Sequence, residues 1–210
     1  MSRRGKAKTY PGFDQVPCVE YKDDFLPPEI HEGAMERLLS EVQFCTDEES
    51  AIMMMGKRVN VPRKQVGYGD IDTAYRFTGV DVEAKDWSEE KTPTLHAIKE
   101  FVVKTLGFPV SYVLLNLYRD GSDYIGWHSD DEKDLDPKFP IISLTLGAAR
   151  PFRFRHKVSG QVYEGILKDN SLVLMNPPCQ RMYKHSLPKK DGKTNGVKKP
   201  RLNLTFRVMR

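Results

Sequence analysis

Cysteine is scarce in this chain of 210 residues: Cys18, Cys45 and Cys179 are all there is, and no two share a C-x-x-C spacing. An odd, scattered set argues against a disulfide scaffold or a cysteine zinc site and points to a reducing compartment. Apolar runs long enough to span a bilayer are missing too, so no membrane partner is expected. The opening "MSRRGKAKTYPG" has no hydrophobic stretch behind its charges and does not read as a secretory signal. There is no internal repeat and no long low-complexity block. One substantial domain is the expected organisation for this length. With 39% hydrophobic and 10% aromatic residues, the composition is that of a folded protein rather than a disordered one.

The net charge of +4 is unevenly spread. Arg3, Arg4, Lys6 and Lys8 crowd the first residues, and "KKDGKTNGVKKPR" (189–201) holds a second basic cluster, which leaves the rest mildly acidic. Residues 1–16 read as a flexible basic arm. Segments of this kind attract polyanions and neutralise phosphates without reading sequence, although basic tails can also be merely solubilising.

"LPPEIHEGAMERLLSEV" (26–42) suits a helix opened by Pro27-Pro28, with Met35, Leu38, Leu39 and Val42 on one face. "TPTLHAIKEFVVKTLGF" predicts a second, capped by Thr92 or Thr94 and stopped by Gly107. From residue 111 the pattern turns to strands: "SYVLLNLY", "DYIGWHSD", "PIISLTLG", "PFRFRHK", "VYEGIL", "SLVLMN", "YKHSL" and "RLNLTFRVM". The alternation in "PFRFRHK" and "RLNLTFRVM" predicts strands with one wet face. Two helices followed by many short strands suggest a β-sandwich or jelly roll backed by helices.

The chemistry begins at "YIGWHSDDE" (124–132). His128 and Asp130 are two apart, so a strand would present both on one side. A third ligand must come from elsewhere. Of the five histidines, His31 and His96 fall in the helical section and His156 in a basic run, so His185 is the best remaining candidate. Two imidazoles and one carboxylate on one face of an ion form the facial triad of non-haem Fe(II) oxygenases. By itself H-x-D is short and is more often structural. The C-terminal strand adds weight: Arg201, Asn203, Thr205 and Arg207 share one face of it. Two arginines there are costly unless they meet water or acids, and a dicarboxylic co-substrate would satisfy them. Trp127 and Met175 read as packing residues, and Ser129, with no evident base, is not read as a nucleophile.

"NLYRDGSDYIGWHSDDE", "HSLP" and "PRLNLTFR" resemble the AlkB family of Fe(II)- and 2-oxoglutarate-dependent dioxygenases, in its eukaryotic DNA-repair branch. The resemblance runs from "VPRKQVGYGD" at residue 61 to the C-terminus. It implies an α+β, mainly β fold, a double-stranded β-helix (jelly roll) backed by N-terminal helices. The arm of residues 1–16 lies outside the resemblance; a single dioxygenase domain would occupy 17–210, with nucleic-acid recognition elements at about 50–80. His128, Asp130 and His185 would be the iron ligands. Arg201 and Arg207 would pair with the carboxylates of 2-oxoglutarate, with Thr205, Asn116 and Tyr118 sharing that site. Asp131 would face the damaged base, and Tyr75 and Phe77 would line its pocket. Met55, followed by Gly56 and Lys57, stands where the family places a residue wedged into the helix. Methionine replaces the expected aromatic there and can still act as an apolar wedge.

The implied reaction uses Fe(II), 2-oxoglutarate and O₂ to hydroxylate a methyl group on a ring nitrogen, releasing formaldehyde, succinate and CO₂. A base inside a duplex must first be flipped out at a cost of a few kcal/mol. Stacking on Tyr75 and Phe77 would return on the order of 1–3 kcal/mol each. Arg155, His156 and Lys157, with Lys189, Lys190, Lys198 and Lys199, are candidate phosphate contacts. The expected partner is DNA with alkylated bases, or RNA; a monomer is expected, and residence in the nucleus follows from the basic arm and the substrate. Two alternatives are an RNA demethylase or protein hydroxylase with the same iron chemistry, and a non-catalytic nucleic-acid-binding β-domain.

Overall fold

Strands dominate because apolar residues recur at every second position over most of the second half of the chain. The computed structural model describes residues 10–49, 51–54, 56–70, 74–77, 80–192 and 196–210. In chain order its elements are β1 (Val19–Lys22), α1 (Pro28–His31), α2 (Ala34–Glu41), β2 (Ile52–Met54), β3 (Lys57–Val59), β4 (Lys64–Gly69), β5 (Ala74–Phe77), β6 (Val80–Glu83) and β7 (Lys85–Asp86). There follow α3 (Pro93–Leu106), β8 (Tyr112–Tyr118), β9 (Ile125–His128), β10 (Ile141–Gly147), β11 (Arg150–His156), β12 (Val162–Leu167), β13 (Ser171–Met175), α4 (Cys179–Met182), β14 (Tyr183–Leu187) and β15 (Arg201–Arg207).

A major sheet runs β1-β13-β10-β15-β8-β4-β7, a minor sheet β12-β11-β14-β9, and β2-β3 and β5-β6 are separate hairpins. The fold is the expected mainly-β jelly roll with helices on one side. Two cores hold it together. Leu38, Leu95, Ile98 and Val102 of α2 and α3 pack on Leu115, Leu144, Leu204 and Phe206 of the major sheet. Tyr112, Leu114 and Val173 of the major sheet meet Phe152 and Phe154 of the minor sheet in the second. Each fully buried Leu or Phe contributes about 1.5–3 kcal/mol.

Three expectations change. The single helix over 26–42 is two, because Gly33 at φ +66° breaks it between α1 and α2. The cap of α3 is neither threonine side chain: the Glu41 carboxylate accepts from the Thr94 amide at 3.0 and 3.2 Å. Part of the segment expected as an arm belongs to the fold, since Phe13 is buried in the inter-sheet core and the Pro11 carbonyl accepts from the Glu164 amide at 2.8 Å; residues 1–9 lie outside the described residues. Among the described residues no helix is long and apolar enough to cross a membrane.

Arg150 fixes the β8–β9 connection. It is wholly buried, and its guanidinium donates to the carbonyls of Asp120 (2.9 Å), Asp123 (2.8 Å) and Pro188 (2.9 Å). Asp123 in turn holds Arg119 through its amide and guanidinium, each at 2.8 Å. Arg150→Ala would strand three carbonyls at about 1 kcal/mol or more each. The expected result is a melting temperature lower by about 6–12 °C, read by scanning calorimetry.

Candidate metal centre and co-substrate site

β9 and β14 are antiparallel neighbours, and their register sets His128 directly opposite His185. The paired rings lie 4.2 Å apart, centroid to centroid. Asp130 follows β9 by two residues. Its amide donates to Gln180 Oε1 of α4 at 2.9 Å, which turns the side chain back toward the histidines. One carboxylate oxygen, Oδ1, stands 3.7 Å from His128 Nε2 and 3.9 Å from His185 Nε2. The other, Oδ2, accepts from Arg207 Nη2 at 3.2 Å. His128 Nδ1 lies 2.9 Å from the Gly126 carbonyl. A carbonyl can only accept, so Nδ1 carries the proton and Nε2 is left with its lone pair toward the cluster.

One ligand atom from each of His128, Asp130 and His185 lies within 4.8 Å of the others, so the three could hold a single ion. Their protonation suits that. Burial, reinforced by His128, pushes His185 down to about 3, and burial also lowers His128. Burial alone would raise Asp130, but Arg207 and the two imidazoles hold it below the usual carboxylate range. Two neutral imidazoles and a carboxylate are the donor set Fe(II) takes on one face, with other positions left open. Phe152 and Phe154 flank His185 at 5.6 and 6.1 Å and keep the ring in place.

Without metal, a depressed histidine leaves the unfolded chain holding the extra proton. Stability from the neutral rings is complete above the ordinary value of 6.5 and falls as pH drops from there toward about 3 for His185. The slope is about 1.4 kcal/mol per pH unit for each ring. Asp130, being lowered, adds its own loss further down, as pH falls through its folded value. Urea melts of metal-free protein between pH 6.5 and 4 are expected to show this slope, shallower by one proton in His185→Gln.

Beside the triad a cleft is lined by Arg63, Asn116, Tyr118, Ser143, Asn203, Thr205 and Arg207. β15 is buried along its whole length. Its polar face is therefore not wet, as the alternation predicts, but turned into the space between the sheets. Arg207 and Thr205 reach the cleft; Arg201 sits behind Asn203, not among the lining residues. The Arg201 guanidinium donates to Thr145 Oγ1 (2.8 Å) and Asn203 Oδ1 (2.6 Å) and lies over Tyr118 at 5.3 Å. Its Nε has no partner among the described residues, and burial lowers its pKa to about 10. Arg63 donates to Asn116 Oδ1 at 2.9 Å. Buried guanidinium charge so exceeds carboxylate charge that a dianion fits this cleft.

Other expected residues fall elsewhere. Asp131 is exposed; it pairs with Lys157 at 3.6 Å and lines a different cavity, of about 480 Å³, which Asp130 also borders. His156 Nδ1 accepts from the Ser159 amide at 3.1 Å and so serves the β11–β12 turn. Trp127 is part-buried, with the Arg155 guanidinium 4.5 Å above its ring. Tyr75 and Phe77 lie in β5, in backbone register with Val82 and Val80 of β6. Gly56 (φ +75°) and Lys57 are exposed at the β2–β3 turn, while Met55 lies outside the described residues. Arg63, Gln180 and Ser143 carry no local signal: each looks like a surface residue until the fold brings it to the site.

The 2OG-Fe(II) oxygenase superfamily model matches residues 19–207, reaching well ahead of the motifs. The chain belongs to that superfamily. It is 39% identical over 178 residues to the mouse DNA oxidative demethylase ALKBH2, covering 81% of this chain and 71% of that protein. Identity to the human ALKBH2 is 39% over 180 residues, 82% of this chain and 66% of the relative. The human alpha-ketoglutarate-dependent dioxygenase alkB homolog 3 is 31% identical over 159 residues, 70% of this chain and 52% of that one. The solved structure of OsALKBH1 shares the fold, with TM-score 0.57 at 16% identity over 91% of this chain and 98% of that one. This AlkB-type oxygenase takes Fe(II), 2-oxoglutarate and O₂, and the donor set and the cationic cleft suit the first two.

Proposed function

We propose that this oxygenase is an oxidative DNA dealkylase that restores bases methylated on ring nitrogens. His128, Asp130 and His185 hold Fe(II). Arg207, Thr205, Asn116 and Tyr118 hold 2-oxoglutarate, and Arg201 fixes the far end of that site through Asn203 and Tyr118. The observation that carries the reading is the division of the Asp130 carboxylate: one oxygen faces both imidazoles, the other is tied to Arg207. One side chain thus links the metal position to the co-substrate position. The likeness to relatives named DNA oxidative demethylase supports DNA as substrate.

Bound iron and co-substrate supply the oxidation of an unreactive methyl C–H bond, with succinate and CO₂ as by-products. The protein's part is placement. The neutral imidazoles offer lone pairs without a competing proton. Phe152, Ile125 and Met175 line the cleft with apolar surface and keep water from the reacting carbon. The hydroxylated product loses formaldehyde and leaves the base intact. Tyr75 and Phe77 of β5, with Gly56 and Lys57 at the β2–β3 turn, are proposed to receive the substrate, and Met55 is proposed as the apolar wedge. We place the enzyme in the nucleus, as a monomer whose domain begins at the end of the basic arm.

The test is product analysis by mass spectrometry. Protein with Fe(II), 2-oxoglutarate and ascorbate is expected to release formaldehyde and restore the base in methylated DNA oligonucleotides. Matched methylated RNA and methylated peptides are the comparison arms. Turnover confined to either of those would overturn the assignment to DNA.

A further inference from the structure

The outer face of the minor sheet has chemistry that the cleft does not use. Phe152 and Phe154 of β11 point into the core, so Arg153 and Arg155 point outward. Arg155 pairs in register with Lys184, the exposed residue of β14. Its guanidinium reaches across β14 to lie 4.5 Å above Trp127 of β9. At the end of the same edge the Lys189 ammonium sits 4.9 Å over Tyr124. Toward the opposite edge Arg153 lies 5.1 Å over Tyr10 and is neutralised by Glu164 at 2.5 Å. No ion pair joins Arg155, Lys184 or Lys189 to an acid among the described residues. Tyr10 is the first described residue, and the sequence before it includes Arg3, Arg4, Lys6 and Lys8.

The cleft and this face meet at β9. That strand is the edge of the minor sheet; Ile125 and His128 line the cleft, and Trp127 stands on the other side. Between them Gly126 is exposed, with open space where a side chain would be. A chain leaving the cleft can cross the edge there with its backbone close to the strand.

We infer that the outer face of the minor sheet is a track for single-stranded nucleic acid, running from the cleft over Gly126 onto Trp127, Arg155, Lys184, Lys189 and Tyr124. The inference rests on the proposed nucleic-acid substrate. Cations interleaved with aromatic rings fit an unpaired strand: phosphates meet the ammonium and guanidinium groups, and free base faces stack on the rings and on the guanidinium plane. A duplex keeps its base faces inside and would use the cations alone.

The test uses full-length protein loaded with Mn(II) and 2-oxoglutarate, which cannot turn over, and an unmethylated oligothymidylate of about ten nucleotides. The chain has two tryptophans, and Trp87 is buried, so a stacking base quenches the emission of Trp127. Quenching is expected with the single strand and is lost in Trp127→Phe. Arg155→Ala and Lys184→Glu are expected to bind about tenfold more weakly, and the salt dependence becomes shallower by about 0.7 for each phosphate left without its cation. Unchanged emission, or equal quenching by a hairpin duplex of the same length, would overturn the track. Formaldehyde release from a methylated trinucleotide, too short to leave the cleft, is measured alongside. Its failure would count against the dealkylase reading, whereas its success without quenching would count only against the track.

Discussion

Replacing His185 by alanine is expected to lower formaldehyde release from methylated DNA by about a thousandfold or more. A bound metal supplies several kcal/mol of charge stabilisation, and each 1.4 kcal/mol or so is tenfold in rate. His185 is 4% exposed and directly opposite His128, so its loss leaves the ion with one of its two imidazole donors. The substitution also leaves a small cavity beside Phe152 and Phe154, which costs about 2 kcal/mol. A loss of activity through unfolding must therefore be told apart from loss of the ligand. Thermal shift does this: Mn(II) is expected to raise the melting temperature of the wild type and to leave the His185→Ala melting temperature nearly unchanged. His185→Gln fills the cavity better and is expected to be as inactive. An active His185→Ala enzyme would remove this side chain from the metal site.

How far the site could be read from the sequence depended on where its information lay. His128 and Asp130 are two residues apart on one strand end, and that spacing alone puts them on one side. His185 was reachable only by elimination among five histidines, because its partnership with His128 is a strand register between elements far apart in the chain. The alternation of β15 gave the correct grouping of Arg201, Asn203, Thr205 and Arg207 but the wrong environment. Period-two patterning tells which residues share a face, not whether that face meets water or a second sheet. The minor sheet turned that face into an interior. Arg63 and Gln180 lay beyond reach for the same reason: a basic or amide residue within two positions of a proline reads as loop surface, and only tertiary placement buries it against Asn116 or aims it at the Asp130 amide. Gly33 shows the opposite case, a local signal that was present and outweighed by the apolar stripe on either side of it.

Arg207 is the other residue whose loss should be severe, and its signature should differ from that of a metal ligand. The guanidinium is 3% exposed and provides the positive charge that lets Asp130 stay ionised in a buried position. Arg207→Met keeps the volume and removes the charge. Breaking a buried pair in this way costs about 3–5 kcal/mol, so the metal-free variant should melt well below the wild type. Mn(II) brings a new positive charge to the same carboxylate, and therefore the stabilisation on adding metal should be larger in Arg207→Met than in the wild type. The further stabilisation by 2-oxoglutarate should shrink, because the guanidinium that would accompany its carboxylate is gone. In turnover the same change appears as a KM for 2-oxoglutarate raised by about a hundredfold, the equivalent of losing a charge-assisted hydrogen bond of nearly 3 kcal/mol. The sequence of melts — apo, with Mn(II), with Mn(II) and 2-oxoglutarate — separates the two jobs of the side chain. If 2-oxoglutarate stabilised the Mn(II)-loaded Arg207→Met protein as much as the wild type, Arg207 would be a counterion of Asp130 only, and the co-substrate would have to be held by Arg63, the other guanidinium that lines the cleft.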